Sequence, residues 1–154
     1  MKKLLLILLS AALFFGCSKK DDSLKSTSSA TLVGKWNSST DTTTSYVNGK
    51  IAYQYLNSNA AGTYYQFNSD GTGLQYYPAD ANDPVITYPF TYSLSGSSLS
   101  FNFPSQTIDG SIIAPRTDVY QVAKLDSHTL GIIYDDGGVN NRTNAIVQIY
   151  YFTK

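Results

Sequence analysis

Glutamate is absent from this chain of 154 residues, and cysteine, histidine, methionine and tryptophan occur once each. Without glutamate the calcium loop that closes on that side chain cannot be written. The acids that lie near one another, Asp80 with Asp83 and Asp135 with Asp136, also miss its alternating spacing. With His128 as the single histidine, a catalytic triad would have to come from Asp126, Ser127 and His128 on one turn, whereas triads are assembled by a fold from distant positions. Apart from Asp118 the acids fall in turns, loops or strand ends, which is poor material for the paired carboxylates of glycoside hydrolysis. The expectation is therefore no enzyme, no metal site and no cofactor. Lysine and arginine are thinly spread, which disfavours a nucleic-acid partner, since phosphate binding relies on clustered cations.

One long apolar run exists, Leu4 to Phe15, preceded by Met1, Lys2 and Lys3 and followed by Gly16. A basic start, a short apolar stretch and a small residue describe a secretory signal peptide over residues 1–16. The run is shorter than the roughly 20 residues a membrane-crossing helix needs. Cys17 follows at once. Gly16-Cys17 resembles the lipobox of bacterial lipoproteins, with Phe14 and Phe15 where that box usually carries Leu and a small residue. The resemblance implies that Cys17 is acylated and becomes the mature N-terminus. A lone thiol is otherwise a liability in an oxidising compartment. Each buried methylene contributes about 0.8 kcal/mol and two chains suffice for stable anchoring, so the membrane is an expected partner through lipid.

Residues 17–30, which start Cys-Ser-Lys-Lys-Asp-Asp and continue rich in Ser and Thr, read as a flexible tether. Ser18 beside the cysteine resembles outer-membrane sorting. Lys20-Asp21-Asp22 resembles the acidic export tags of surface lipoproteins in some Gram-negative bacteria. The expected location is the outer membrane, lipid-anchored and exposed at the cell surface, with the periplasmic face as the alternative. Asp22-Ser23-Leu24 and Asp41-Thr42-Thr43 resemble sites that some Gram-negative bacteria O-glycosylate.

Thirteen tyrosines and seven phenylalanines give the chain its aromatic character. Aromatic abundance with few helix formers predicts an all-β domain over residues 31–154. Tyr88, Phe90, Tyr92 and Leu94 alternate with polar residues, as do Leu99, Phe101 and Phe103, and the intervening Ser-Gly-Ser-Ser pairs the two runs as a hairpin. Asn48-Gly49 predicts a two-residue turn between the strands around Tyr46 and Ile51. Asp70-Gly71 joins a strand with Tyr65 and Phe67 on one face to a strand with Leu74 and Tyr76 on one face. Pro89 argues for an edge, a bulge or a bend. Segments 78–85 and 104–115 read as long loops. Nine or ten short strands in hairpin succession predict an antiparallel up-and-down β-barrel of about 8–10 strands, with a β-sandwich as the alternative.

Gly34-Lys35-Trp36 at the start of the first strand is the G-x-W pattern that opens lipocalins. The order of LVGKW, the Asp70-Gly71 hairpin, FTYSLSGSSLSF and the closing YYFTK resembles the lipocalin-like domains of bacterial lipoproteins. That resemblance implies a barrel whose floor is plugged by Trp36 with Gly34 beside it, although no arginine can be assigned to help close the floor. The faces expected inside are those of Tyr65, Phe67, Tyr76, Tyr88, Phe90, Tyr92, Phe101, Phe103 and Tyr134. Rings alone could fill an eight-stranded barrel. A lumen rich in phenol hydroxyls, however, suits trapped water or a ligand with polar groups. Two functions stay open: a barrel that binds a small amphipathic molecule, and a filled barrel whose loops bind a protein or glycan as a surface or envelope interaction module, its protein partner unknown.

Overall fold

The computed structural model describes residues 28–59, 61–81, 84–136 and 144–154. Cys17, the segment read as a signal peptide, the Asp22-Ser23 pair and nearly all of the segment read as a tether lie outside them. A one-turn helix α1 (Ser29–Leu32) is capped by the Ser28 hydroxyl, which accepts from the Ala30 amide. Eleven strands come after it: β1 (Gly34–Val47), β2 (Lys50–Ser58), β3 (Tyr64–Phe67), β4 (Thr72–Tyr77), β5 (Ile86–Ser95), β6 (Ser98–Phe103), β7 (Gln106–Ile108), β8 (Ser111–Ile113), β9 (Arg116–Leu125), β10 (Thr129–Asp135) and β11 (Asn144–Thr153).

Eight of them close an antiparallel barrel. The ladder runs β11-β10-β9-β6-β5-β4-β3-β1, and β1 pairs with β11 to complete the circle. That closure excludes the sandwich. Two hairpins depart from a plain up-and-down course. The β7–β8 pair occupies the stretch read as a loop at 104–115, turning through Asp109 and Gly110, both at positive φ. The β1–β2 hairpin, turned by Asn48 and Gly49 at positive φ as the Asn-Gly pair predicted, runs past the end of β3. Its strand β2 is exposed at nearly every position, with Ile51, Tyr53, Tyr55 and Leu56 among its open side chains.

Strand β1 serves both ends because it is bulged. Trp36 faces the interior, the register against β11 shifts between Ser38 and Thr40, and beyond the shift Asp41, Thr43 and Ser45 stand on the buried side. One extra residue reverses the alternation, as β-bulges do. Asp41-Thr42-Thr43 therefore sits inside a strand paired on both edges, with Asp41 buried and accepting from Asn57 Nδ2 at 2.9 Å, an unsuitable place for a glycan.

The closed end holds the dry core: Leu32, Trp36, Phe67, Leu99, Leu130 and Phe152 are fully or almost fully buried. Trp36 Nε1 donates to the Leu32 carbonyl at 2.7 Å, tying the floor to α1. The cation that the sequence left unassigned is Lys154. Its ammonium donates to the carbonyls of Thr31 (3.0 Å) and Val33 (2.7 Å) and lies 4.7 Å from the centre of the Trp36 ring. Gly34 is at φ 130°, and a Cβ there would come within 2.7 Å of Lys154 Cε, so glycine admits both the turn and the lysine.

Candidate functional site

The open end is hollow. A partly enclosed cavity of about 330 Å³ lies above the core rings, a size in the range of small-molecule sites. Its wall is built strand by strand. β3 supplies Tyr65, β4 supplies Gln75 and Tyr77, and β5 supplies Tyr88. Phe101 and Phe103 of β6 form its lower part, Arg116, Asp118 and Tyr120 come from β9, and Tyr150 comes from β11. Ile113 of the β7–β8 hairpin reaches it from above, so the segment read as a loop carries part of the site.

Five phenols therefore share one space, and the hydroxyls of Tyr65, Tyr77 and Tyr150 are held by hydrogen bonds. Gln75 Nε2 donates to the Tyr65 hydroxyl at 2.5 Å and also to the Tyr77 hydroxyl. Tyr150 donates to Gln148 Oε1 at 2.9 Å, and the Gln148 amide reaches Thr43 Oγ1 at 3.4 Å. The charges form one pair: Arg116 Nε lies 3.1 Å from Asp118 Oδ2 while its guanidinium covers the Phe103 ring at 4.2 Å. Such a wall offers neutral donors and acceptors, a balanced ion pair and aromatic faces.

Burial sets the protonation of this wall. It pushes the Tyr65 phenol well above its ordinary value, with the nearby charge that Tyr77 would carry as the next cause. Tyr120 is raised strongly by burial and then by Tyr150. Tyr150 is pushed up to about 12, by burial first and then by Asp41. All three are neutral hydrogen-bonding groups in the native protein. A raised native value means that above about pH 10 the unfolded chain gives up phenolic protons which the barrel still holds. Stability is thus full below about pH 10 and falls as the pH rises through the native values. Phenolate absorbance should show a late-ionising set that appears together with alkaline unfolding. Ionisation of every tyrosine in one reversible step at the ordinary value, with the fold intact, would mean that the wall is freely hydrated.

Among the nine side chains expected inside, Tyr65, Tyr88, Phe101 and Phe103 line the cavity. Phe67 and Phe90 are core, with ring centres 5.6 Å apart. Tyr92 sits at the closed end, edge-on to Phe67 at 5.0 Å with its hydroxyl donating to the Asn68 carbonyl. Tyr134 stands on the inner face as expected, opposite Gln148 of β11 and packed on Tyr120 at 5.7 Å, but does not line the cavity. Tyr76 faces outward, stacked on Tyr64 at 4.7 Å, which corrects its assignment. The cause is register: Phe67 pairs with Gly73 and Tyr65 with Gln75, so Gly73, Gln75 and Tyr77 take the inner face and Leu74 and Tyr76 the outer one. The residues not foreseen are Gln75, Tyr77, Ile113, Arg116, Asp118, Tyr120 and Tyr150. Asp118 carried a signal, being the one acid in mid-strand, and Tyr120 shares its face.

His128 is exposed in the β9–β10 turn, where the Lys154 amide donates to its carbonyl at the closed end, away from the cavity. The Asp126 carboxylate accepts from the amides of His128 and Thr129, both at 2.8 Å, and so shapes the turn. No group of three or more His, Cys, Asp or Glu side chains is placed to hold a metal among the described residues.

No family model matches the chain, and no curated protein matches its sequence. Among solved structures it is similar to a lipocalin-like protein from Bacteroides uniformis ATCC 8492, at 17% identity and a TM-score of 0.49 over 80% of this chain and 98% of that one. It is also similar to an uncharacterized protein from Bacteroides eggerthii DSM 20697, at 16% identity and a TM-score of 0.45 over 79% and 98%.

Proposed function

We propose that the protein is a non-enzymatic, lipid-anchored lipoprotein of the outer membrane whose lipocalin-like barrel binds a small amphipathic molecule in its lumen. The observation that carries this reading is the cavity of about 330 Å³ whose wall combines five phenols with one Arg–Asp pair. Fully packed barrels do not hold hydroxyls around a hollow, because buried polar groups call for partners. A molecule with neutral hydrogen-bonding groups and a flat or apolar body would satisfy both parts of that wall. Acylation at Cys17 would hold the barrel at the envelope.

Dansylamide, a compact fluorophore with a polar sulfonamide, tests the lumen. The purified protein is expected to bind it with a blue shift, and Tyr120→Phe is expected to weaken binding several-fold while leaving the denaturant midpoint close to the parent. An unshifted probe would argue for the second reading, an interaction module, which the exposed aromatic and aliphatic side chains of β2 favour. The anchor has its own test: Cys17→Ser should abolish incorporation of a palmitate analogue, and label retained by the mutant would refute acylation there.

A further inference from the structure

The wall of the barrel is not continuous. Strands β5 and β6 pair from Ser95 and Ser98 up to Thr91 and Asn102, and there the ladder stops. If the register continued, Phe90 would face Phe103 and Pro89 would face Pro104. Proline has no amide hydrogen to give to a ladder, so two facing prolines leave the seam unable to close. Above that point, among the described residues, β5 pairs only with β4, through Gly73 to Tyr77, and β6 only with β9, through Asn102 and Phe103.

The open seam forms a depression of about 570 Å³ on the outside of the barrel. Its base is the rings of Phe90 and Phe103, 5.6 Å apart, and Thr91 and Asn102 stand at its rim. Gly73 is also part of it, as bare backbone against which the Phe90 ring lies on the inner side. No charged side chain lines it, in contrast to the cavity with its phenols and ion pair. Phe103 belongs to both spaces: one side of the seam is the lumen wall under Arg116, and the other is the base of the depression.

We propose that this seam is a second, lateral subsite that takes the apolar chain of the same small molecule whose polar head lies in the lumen, with Phe103 as the partition between them. The assignment rests on the lumen reading above and extends it to a bipartite ligand: a compact hydrogen-bonding head joined to a flexible hydrocarbon chain. Continuity through one shared ring selects this occupant. A chain leaving the head toward Phe103 meets apolar rings and a gap in the hydrogen-bonded wall, whereas the walls formed by β3, β4, β9 and β11 meet it with phenols, an amide or the ion pair.

Two probes with one head group test it in the purified full-length protein: dansylamide, and the same fluorophore carrying an octyl chain on the sulfonamide nitrogen. The octyl probe is expected to bind at least ten-fold more tightly than dansylamide. Thr91→Trp fills the depression from an exposed strand position outside the lumen, and Asn102→Phe does so from the opposite rim. Each should remove most of the octyl advantage and leave dansylamide affinity within two-fold of the parent. An octyl advantage that survives both substitutions sends the chain out through the mouth and overturns the lateral subsite while the lumen stands. Equal weakening of both probes in both variants overturns it as well, because the seam would then have no separate role. If neither probe binds the parent, both the lumen reading and the subsite fall.

Discussion

Trp36→Ala is expected to lower the unfolding free energy by about 3–5 kcal/mol, the range for truncating a large buried aromatic. Three losses combine at this position. The indole is completely buried among Phe67, Leu99, Leu130 and Phe152, so its removal opens a void that rigid strands cannot collapse around. The Leu32 carbonyl loses its 2.7 Å donor, and the Lys154 ammonium loses the ring beneath it. Trp36→Phe keeps most of the volume and should recover more than half of the loss. Lys154→Met, which keeps the stem but removes the charge from two carbonyls and the ring, should cost about 1–2 kcal/mol. Denaturant unfolding measured by circular dichroism ranks the three variants. A cost below about 1 kcal/mol for Trp36→Ala would show that the floor does not depend on its plug. As the only tryptophan, Trp36 should also emit at a short wavelength in the native parent.

Phe90→Ala should fall in the same range of about 3–5 kcal/mol, since the ring touches Phe67, Phe101 and Phe103 with centres 4.9–5.6 Å apart. Its neighbour Gly73 explains why nothing larger occupies the adjacent strand. A Cβ on Gly73 would collide with Phe90 Cε2 and lie 2.7 Å from the Gln66 carbonyl oxygen. Gly73→Ala is therefore expected to cost at least about 1–3 kcal/mol through overpacking. Combining it with Phe90→Leu should give a double mutant more stable than the sum of the two changes, because the ring clash disappears. Rescue stays partial because the carbonyl contact remains. Strict additivity in the denaturant midpoints would mean that the ring and the glycine do not meet.

The comparison of these two positions shows what a linear pattern can and cannot say. Glycine-x-tryptophan before a series of alternating strands led directly to the floor, and Asn48-Gly49 led to the longest hairpin, since both signals are local in the chain. The inner surface was harder. Tyr64-Tyr65, Tyr76-Tyr77 and Tyr150-Tyr151 each put one tyrosine on either side of the sheet, and period two cannot say which of the two is inside. For Tyr76 and Tyr77 the apolar Leu74 suggested the wrong side. The answer came from Phe90, which needs a glycine opposite it, a requirement that exists only once β4 and β5 are paired. The bulge at Ser39 is equally unreadable, because it places Asp41 and Thr43 inside by shifting parity where hydrophobicity gives no cue. Asp109-Gly110 was readable, the same turn dipeptide as Asp70-Gly71, with apolar residues on both sides.

Lys154 has a bearing on how the barrel is presented. By gripping the carbonyls of Thr31 and Val33 it fixes the point at which the chain enters the fold, and that point lies at the closed end, beneath Trp36. The hollow end, with the β7–β8 hairpin and the long β1–β2 hairpin, lies at the opposite pole. Whatever precedes Ser28 therefore joins the barrel at the floor. A flexible leash fixes no orientation, but one attached there leaves the rim, at the far pole, unobstructed. The split seam on the flank would stay clear of the attachment point, whatever the length of the leash.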